Sequence, residues 1–282
     1  MEHEPLIRLG VFLGVFAVMA GWELLRAARP GLQPKARRWL TNWAVAALDS
    51  LVVRLLFPAA AVGAALDAQA QGWGLFPMLG APGWLAFILS VALLDLAIWA
   101  QHLVFHKVPV LWRLHRVHHA DRDVDVTTAI RFHPVEIALS MLLKIGLVYA
   151  LGAPAAAVLV FEVLLNGCAM FNHANIRLPS GVERPLRWLL VTPEMHRIHH
   201  SVRREEADSN YGFSVSWWDR LFGTYSARAK GGEAGLKLGL SAHQDDAPSG
   251  LLWVWNLHPQ AFARQLWQQL QLLLVSLKVT NS

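Results

Sequence analysis

Long apolar stretches are the feature that most restricts how this chain can fold. A run of about 20 apolar residues is long enough to cross a hydrocarbon core of about 30 Å as a helix. Charged residues make up only 16% of the chain, whereas soluble domains usually carry about 25%. The sequence therefore predicts a helical integral membrane protein. The predicted apolar segments are 6–25, 39–66, 84–105, 137–151 and 155–171.

These segments differ in how they can cross a membrane. The first lacks the cleavage site of a removed signal peptide, so we expect it to remain as an anchor. The second contains Asp49, Arg54 and Pro58, which predict a kink or a face turned toward protein. The last two are separated by Gly-Ala-Pro at 152–154 and are short, which predicts a helical hairpin that enters and leaves on one side.

Positive charges predict the orientation of the chain. The link after the first segment is rich in Arg and Lys, whereas 67–83 and 152–154 contain neither residue. The positive-inside rule then places this link in the cytoplasm and the first residues outside. Residues that follow the third segment and the hairpin are expected on the cytoplasmic side as well.

Most of the 13 histidines are concentrated in three clusters. His-x-x-His-His is expected by chance only about 0.03 times in a chain of this length and histidine content, yet it occurs twice. On a helix, positions i, i+3 and i+4 share one face, so each cluster can aim its imidazoles at one point. The clustered residues are His102 and His106, then His115, His118 and His119, then His196, His199 and His200.

Metal binding is the interpretation that the clusters favour. Eight solvated or core imidazoles in tight groups would repel when protonated, whereas neutral imidazole is a good ligand for iron, zinc and copper. Eight ligands exceed the needs of one ion, so we expect two. The chain has one cysteine and lacks Glu-x-x-His and His-Glu-x-x-His, which disfavours iron–sulfur clusters, carboxylate di-iron bundles and zincin proteases.

Three alternatives remain open at this point. A zinc hydrolase can use histidine ligands, a membrane haem carrier places histidines in facing helices, and a metal transporter or sensor binds ions without catalysis. The net charge of +5 is too small and dispersed to indicate nucleic-acid binding.

Residues 85–225 resemble the fatty acid hydroxylase and sterol desaturase superfamily of membrane di-iron enzymes. The resemblance rests on the three histidine boxes and on the words around them. These words are Trp-Arg-Leu at 112–114, Arg-Phe-His-Pro-Val-Glu at 131–136, Phe-Asn-His-Ala-Asn at 171–175, Thr-Pro-Glu-Met at 192–195, Asn-Tyr-Gly at 210–212 and Trp-Asp-Arg-Leu-Phe-Gly-Thr at 218–224.

The resemblance implies the identity of the metal ligands. The eight box histidines are expected to bind metal, with His173 as a ninth ligand, whereas His133 is either a ligand or a helix-entry residue that supports the ligands. Four further residues are candidates to orient the ligand imidazoles by hydrogen bonds without binding metal themselves: Asp95, Glu136, Asn172 and Asn175. For Asp95, a polar packing contact is the alternative, and Asp121, Asp123 and Asp125 are expected to be solvated or to support the ligands.

The resemblance also implies the chemistry. Members of this superfamily use two irons, dioxygen and two electrons to hydroxylate or desaturate unactivated C–H positions of lipids. No Gly-x-Gly-x-x-Gly motif is present, so no tightly bound organic cofactor is expected. Electrons would come from a ferredoxin or a cytochrome b5 with its reductase. The lipid remains open among sterol, fatty acyl, ether lipid and carotenoid, and the composition suggests a bacterial inner membrane.

Three regions are expected along the chain. Residues 1–83 form an N-terminal transmembrane region, 84–226 the hydroxylase-like catalytic domain, and 227–282 a loop followed by an amphipathic helix at about 251–279. The expected fold class is all-α: about three spanning helices and a hairpin, with a helical histidine-rich metal lobe on the cytoplasmic side.

Overall fold

The computed structural model describes residues 3–255, and this part of the chain is helical without a β-strand. The remainder of the predicted C-terminal amphipathic helix lies outside the described residues. The helices are α1 (Glu4–Arg26), α2 (Lys35–Leu56), α3 (Ala60–Gln71), α4 (Leu75–Met78), α5 (Gly83–Lys107), α6 (Pro109–His119), α7 (Pro134–Leu151), α8 (Ala155–His173), α9 (Ser180–Leu186), α10 (Pro193–His199), α11 (Arg204–Ala207), α12 (Trp217–Leu221), α13 (Gly232–Gly235) and α14 (Leu251–Trp255).

The predicted apolar segments are confirmed as helices. Among residues 3–255, five helical stretches are long and apolar enough to cross a membrane: Glu4–Arg26, Lys35–Met78, Gly83–Lys107, Pro134–Leu151 and Ala155–His173. The second stretch is interrupted as predicted, because α2 ends at Leu56 and α3 begins after Pro58. The hairpin helices α7 and α8 have 18 and 19 residues, slightly more than predicted.

Small residues let the helices of the apolar half pack closely. Ala61, Ala64 and Ala65 of α3 are buried in one apolar core together with Val148 of α7 and Val158 of α8. Small side chains at such interfaces allow the helix backbones to approach each other, which is how membrane helices gain packing energy.

The tip of the hairpin is fixed by two glycines. Gly74 and Gly152 have φ angles of +108° and +67°, and a Cβ on Gly74 would lie only 2.0 Å from Gly152 N. Only glycine accommodates both the left-handed backbone and this close approach. The segment before α4 therefore closes the end of the α7–α8 hairpin.

At the opposite end, α1 is tied to the segments that follow α6 and α8. Glu23 Oε1 accepts hydrogen bonds from Val126 N and Asn175 N, each at 2.8 Å. Asn175 Nδ2 also donates to Arg29 O at 2.9 Å. The last turns of α1, α5 and α8 and the first turns of α2 and α7 thus meet at one end of the bundle, and the histidines lie there.

Candidate metal centre

One short connection brings the first two histidine boxes together. Helix α5 carries His102 and His106 on one face near its end, and α6 begins directly after Val108 with Pro109 at its first position. Proline is favoured there because its fixed φ suits the first helical turn and its missing N–H is not needed. The chain turns sharply, and α6 returns with His115, His118 and His119.

The other ligand candidates come from α8 and α10. His173 is the final residue of α8, and α10 carries His196 and His199, with His200 as its C-cap. Pro193 opens α10, where the side chain of Thr192 caps the helix. Four helices therefore deliver all nine imidazoles to one buried region.

The nine imidazoles form two adjacent groups, and within each the ligand atoms lie within 4.8 Å of one another. The five-histidine cluster consists of His102, His106, His115, His119 and His199, and the four-histidine cluster of His118, His173, His196 and His200. All nine are buried. The rings of His119 and His200 stack at 4.5 Å between centroids, so the two clusters are in direct contact.

Hydrogen bonds fix the tautomers in the four-histidine cluster. His118 Nδ1 lies 3.2 Å from Arg131 O, and His173 Nδ1 lies 2.7 Å from Ala169 O. A carbonyl oxygen only accepts, so each Nδ1 carries the proton and each Nε2 exposes a lone pair. These two Nε2 atoms nevertheless face each other at 3.0 Å. Two lone pairs at this distance repel unless a cation lies beside both.

The five-histidine cluster repeats this arrangement. His102 Nδ1 lies 2.7 Å from Tyr211 O, and His115 Nδ1 lies 2.7 Å from Glu136 Oε1. Their Nε2 atoms are 2.9 Å apart. His199 Nδ1 donates to Ser209 O at 2.7 Å, and its buried Nε2 has no partner within residues 3–255. A buried ring nitrogen with a free lone pair and no hydrogen-bond donor is suited to bind a metal ion.

Burial keeps these imidazoles neutral. It lowers the pKa of His118, His119, His196 and His200 well below the ordinary value, and the neighbouring imidazoles lower it further. The pKa of His199 falls to about 3 for the same reason. Metal ions bind only the unprotonated ring, so the clusters are prepared for binding at neutral pH.

The spacing of the nitrogens also fits a metal. Imidazole nitrogens lie about 2.1 Å from a divalent ion, so neighbouring ligands of an octahedral site are about 3.0 Å apart. The contacts of His173 Nε2 with His118, His196 and His200 measure 3.0, 3.0 and 3.3 Å. His106 and His119 are 3.1 Å apart through Nε2. The residues therefore fit one ion in each cluster.

The predicted supporting residues have different surroundings. Glu136 contacts His115 as described. Asp95 accepts a hydrogen bond from Trp218 Nε1 at 2.8 Å, which is the polar packing alternative. Asn172 Nδ2 donates to Phe213 O at 2.7 Å, and Asn175 holds the α1–α2 link. Within residues 3–255, neither asparagine bonds to an imidazole.

His133 lies outside both clusters. It is the N-cap of α7, and its Nδ1 accepts a hydrogen bond from Val135 N at 3.2 Å. This is the helix-entry position predicted as the alternative to a ligand role.

Sequence reasoning missed the charged clamp behind the second box. Arg38 of α2 is 3% exposed; its Nη1 lies 2.8 Å from Asp121 Oδ2, and its Nη2 pairs with Asp125. Asp121 and Asp125 are therefore buried ion-pair partners. Of the two predicted alternatives, the solvated one is wrong for both residues. Three acidic residues after a histidine box, and an arginine at the start of a membrane helix, were the available signals.

Two further residues hold the ligands indirectly. Arg131 donates from Nε to Val117 O at 2.8 Å and from Nη1 to Asn42 Oδ1 at 2.8 Å, which fixes the carbonyl that orients His118. Asp219 accepts from Trp99 Nε1 at 3.0 Å and from Tyr211 N at 2.8 Å, which fixes the carbonyl that orients His102. Both residues belong to the sequence words that accompany the boxes.

A cavity of about 310 Å³ adjoins the five-histidine cluster. His102, His115 and Glu136 form part of its wall, and apolar side chains such as Ile98 and Phe213 form another part. Ligand pockets usually fall between about 300 and 1,000 Å³. A small or elongated molecule in this cavity reaches the imidazoles directly.

Comparison with known proteins agrees with this geometry. The family model described as fatty acid hydroxylase matches residues 87–224. No solved structure shows a significant match.

Three curated relatives illustrate the range of the family. The chain is 30% identical over 138 residues to the ornithine lipid hydroxylase OlsE of Rhizobium tropici, which covers 49% of this chain and 41% of that protein. It is 32% identical over 143 residues to alkylglycerol monooxygenase of Xenopus tropicalis, covering 50% and 30%. It is 28% identical over 141 residues to cholesterol 25-hydroxylase of Rattus norvegicus, covering 49% and 45%. The matches thus span less than half of each relative.

The matched segment contains all nine clustered histidines and the residues that orient His102, His115 and His118. On these grounds residues 87–224, about half of the chain, belong to the fatty acid hydroxylase family, within the fatty acid hydroxylase and sterol desaturase superfamily.

Proposed function

We propose that this protein is a membrane oxygenase that holds two iron ions and hydroxylates an unactivated C–H position of a lipid. One observation carries the proposal: in each cluster, Nε2 lone pairs face each other at about 3 Å while their Nδ1 protons are donated elsewhere. Such an arrangement is stable only around a cation.

The donor set supports iron and dioxygen chemistry. Zinc enzymes usually bind their ion with three protein ligands and a water, whereas this chain offers four and five neutral nitrogens to two ions. Imidazole suits iron as well as zinc. When bound, a pair of iron ions would activate dioxygen and supply the oxidising power for the C–H bond.

The chain itself positions the lipid and excludes water. The cavity wall at Ile98, Met141 and Leu165 is apolar and suits an alkyl segment. His102 and His115 belong both to this wall and to the five-histidine cluster, so the carbon held against them is the one that reacts. A carbon fixed beside the metal ligands loses little further entropy on reaching the transition state.

The relatives support a lipid as the substrate and hydroxylation as the outcome. Their names refer to ornithine lipid, alkylglycerol and cholesterol, and each names a hydroxylase or monooxygenase. Desaturation is the less supported outcome of the two predicted ones.

The proposal also includes an external electron donor and a side of the membrane for the metal centre. Two electrons per turnover come from an external carrier such as a ferredoxin or a cytochrome b5 with its reductase. The link between α1 and α2 carries Arg26, Arg29, Lys35 and Arg37 near the histidine end, which favours a cytoplasmic metal centre in a bacterial inner membrane. This basic surface suits an acidic electron carrier.

Lipid analysis tests the proposed function. In a strain that lacks the gene, we expect one lipid species to disappear and its counterpart, lighter by one oxygen atom, to accumulate. Growth of the parent strain under ¹⁸O₂ should label the missing species, because the added oxygen comes from dioxygen. An unlabelled species, or stoichiometric zinc with hydrolase activity and no oxygen consumption, contradicts the proposal.

A further inference from the structure

The cavity has polar walls at the end away from the histidines. Its lining there includes Lys144 of α7, Glu162 of α8 and Arg8 of α1. Glu136 and Lys144 lie eight residues apart on α7, so the cavity extends about 12 Å along that helix from the imidazole end. Polar side chains inside membrane helices are costly and usually serve a function.

The charged groups at this end compensate one another. Lys144 Nζ donates to Glu162 Oε1 at 2.8 Å, and Arg8 Nη1 lies 2.8 Å from Glu162 Oε2 and 2.9 Å from Glu4 Oε1. Two cations and two carboxylates leave this network without net charge. It therefore has no surplus charge with which to select a charged ligand.

The unsatisfied polar atoms in the cavity wall are hydrogen-bond acceptors. Asp49 Oδ1, Gln101 Oε1 and Glu136 Oε2 are buried and receive no hydrogen bond from residues 3–255. A buried acceptor without a donor is unfavourable. The cavity therefore suits a molecule that brings an O–H or N–H group.

Asp49 is the acceptor of this set without a compensating charge. It is 7% exposed, and the neighbouring charged group that acts on it is Glu136, which has the same sign. Asn42, seven residues earlier on α2, bonds to Asp121 and Thr127 beside the second box. Asp49 therefore lies about 10 Å further along α2 than Asn42. It also precedes the matched segment 87–224, so the family resemblance does not account for it.

We propose that Asp49 binds a hydroxyl or primary amine of the lipid substrate, and thereby fixes which carbon lies against His102 and His115. This inference rests on the proposed function, because it names the class of lipid that the same cavity accepts. The lipid carries one hydrogen-bond donor and continues from it as an apolar segment that reaches His102 and His115. Asp49 is a positioning residue, since it contacts the donor and not the reacting carbon.

Direct binding to the full-length, metal-loaded protein tests this inference without turnover. The probes are hexadecan-1-ol, hexadecan-1-amine and 1-methoxyhexadecane, the last of which keeps the oxygen but lacks the donor. Native mass spectrometry measures their dissociation constants. We expect the alcohol or the amine to bind at least about tenfold more tightly than the ether, because the ether leaves the buried acceptor of Asp49 without a hydrogen-bond donor. Whichever of the alcohol and the amine binds more tightly identifies the group that Asp49 binds.

Variants assign the preference to Asp49. Asp49→Leu should bind the alcohol, the amine and the ether equally, whereas the isosteric Asp49→Asn should retain part of the preference. Asp67→Asn, on the exposed face of α3 and outside the cavity, should match the wild type. Metal content should remain unchanged in all three variants.

Two results overturn the inference: a wild type that binds the ether as tightly as both donors, or an Asp49→Leu variant with the wild-type preference. If Asp49→Leu fails to fold, Asp49→Asn and the ether comparison still decide. A wild type that holds no iron contradicts the proposed function instead, because the binding preference does not depend on turnover.

Discussion

Replacing His118 with alanine is expected to abolish lipid hydroxylation and to empty the four-histidine cluster. His118 is the one residue of the second box in that cluster, and its Nε2 lies 3.0 Å from His173 Nε2. Loss of a residue that merely supports a metal ligand costs about 10- to 100-fold. Loss of a ligand itself should therefore lower turnover by more than about 100-fold, measured as oxidised lipid formed per minute by the purified protein.

A matched set of variants separates the two clusters. His199→Ala removes a ligand from the five-histidine cluster and should also stop turnover, because the two ions act together. His3→Ala removes an exposed histidine outside both clusters and should leave activity unchanged. If His118→Ala retains more than about a tenth of wild-type turnover, the four-histidine cluster is not part of the reaction centre.

Replacing Arg38 with methionine is expected to lower the free energy of unfolding by about 3–5 kcal/mol, because it leaves buried carboxylates unpaired. Asp121 and Asp125 would lose the guanidinium that both contact. For a chain of this size the loss corresponds to a thermal midpoint lower by roughly 10 °C. Thermal unfolding in detergent, followed by tryptophan fluorescence, measures the shift.

The neighbouring residue provides the control for this prediction. Arg37 is exposed, so Arg37→Met should shift the free energy of unfolding by no more than about 0.5 kcal/mol.

The stabilising effect of Arg38 should depend on pH. Burial alone raises the pKa of Asp125, but Arg38 outweighs this effect and holds the pKa below its usual range. A carboxyl whose pKa is lowered by folding stabilises the protein above its unfolded pKa of about 3.9 and loses that contribution in acid. The difference in the free energy of unfolding between wild type and Arg38→Met should therefore be constant from pH 6 to 8 and become smaller in acid. Equal stability of the two arginine variants at neutral pH contradicts the role assigned to Arg38.

The sequence predicted most of the membrane helices because length and apolarity determine them. The segments at 6–25 and 84–105 became α1 and α5 with boundaries shifted by only two residues. The interruption near Pro58 was also predictable, since proline removes a backbone donor and obstructs the preceding turn. The close packing of Gly74 on Gly152 was not, because it joins residues far apart in the chain.

The ligand candidates were predictable, whereas their division into two groups was not. Helical spacing places His115, His118 and His119 on one face of α6. It does not show that His115 and His119 join His199 in one group while His118 joins His196 and His200 in the other. That division depends on how α10 packs against α8, which local patterns do not encode.

Ion pairs between residues far apart in the sequence are the main feature that the sequence does not predict. Arg38 and Asp121 are 83 positions apart, and a single sequence gives no signal that pairs them. The basic link predicts the orientation in the membrane and a docking surface for an acidic carrier, but not that Arg38 holds the loop after the second box. Asp49 likewise predicts a kink or a face turned toward protein, but not that it lines the cavity.

X-ray absorption at the iron edge tests the central claim most directly, namely that the two clusters grip a pair of ions through imidazoles. We expect about two irons per full-length chain, each surrounded mainly by nitrogen atoms at about 2.1 Å. The outer-shell pattern of histidine rings should be strong, since four or five rings surround each ion. A protein that takes up no iron, or whose iron has a shell dominated by oxygen with no histidine pattern, would show that the two clusters do not form a di-iron site.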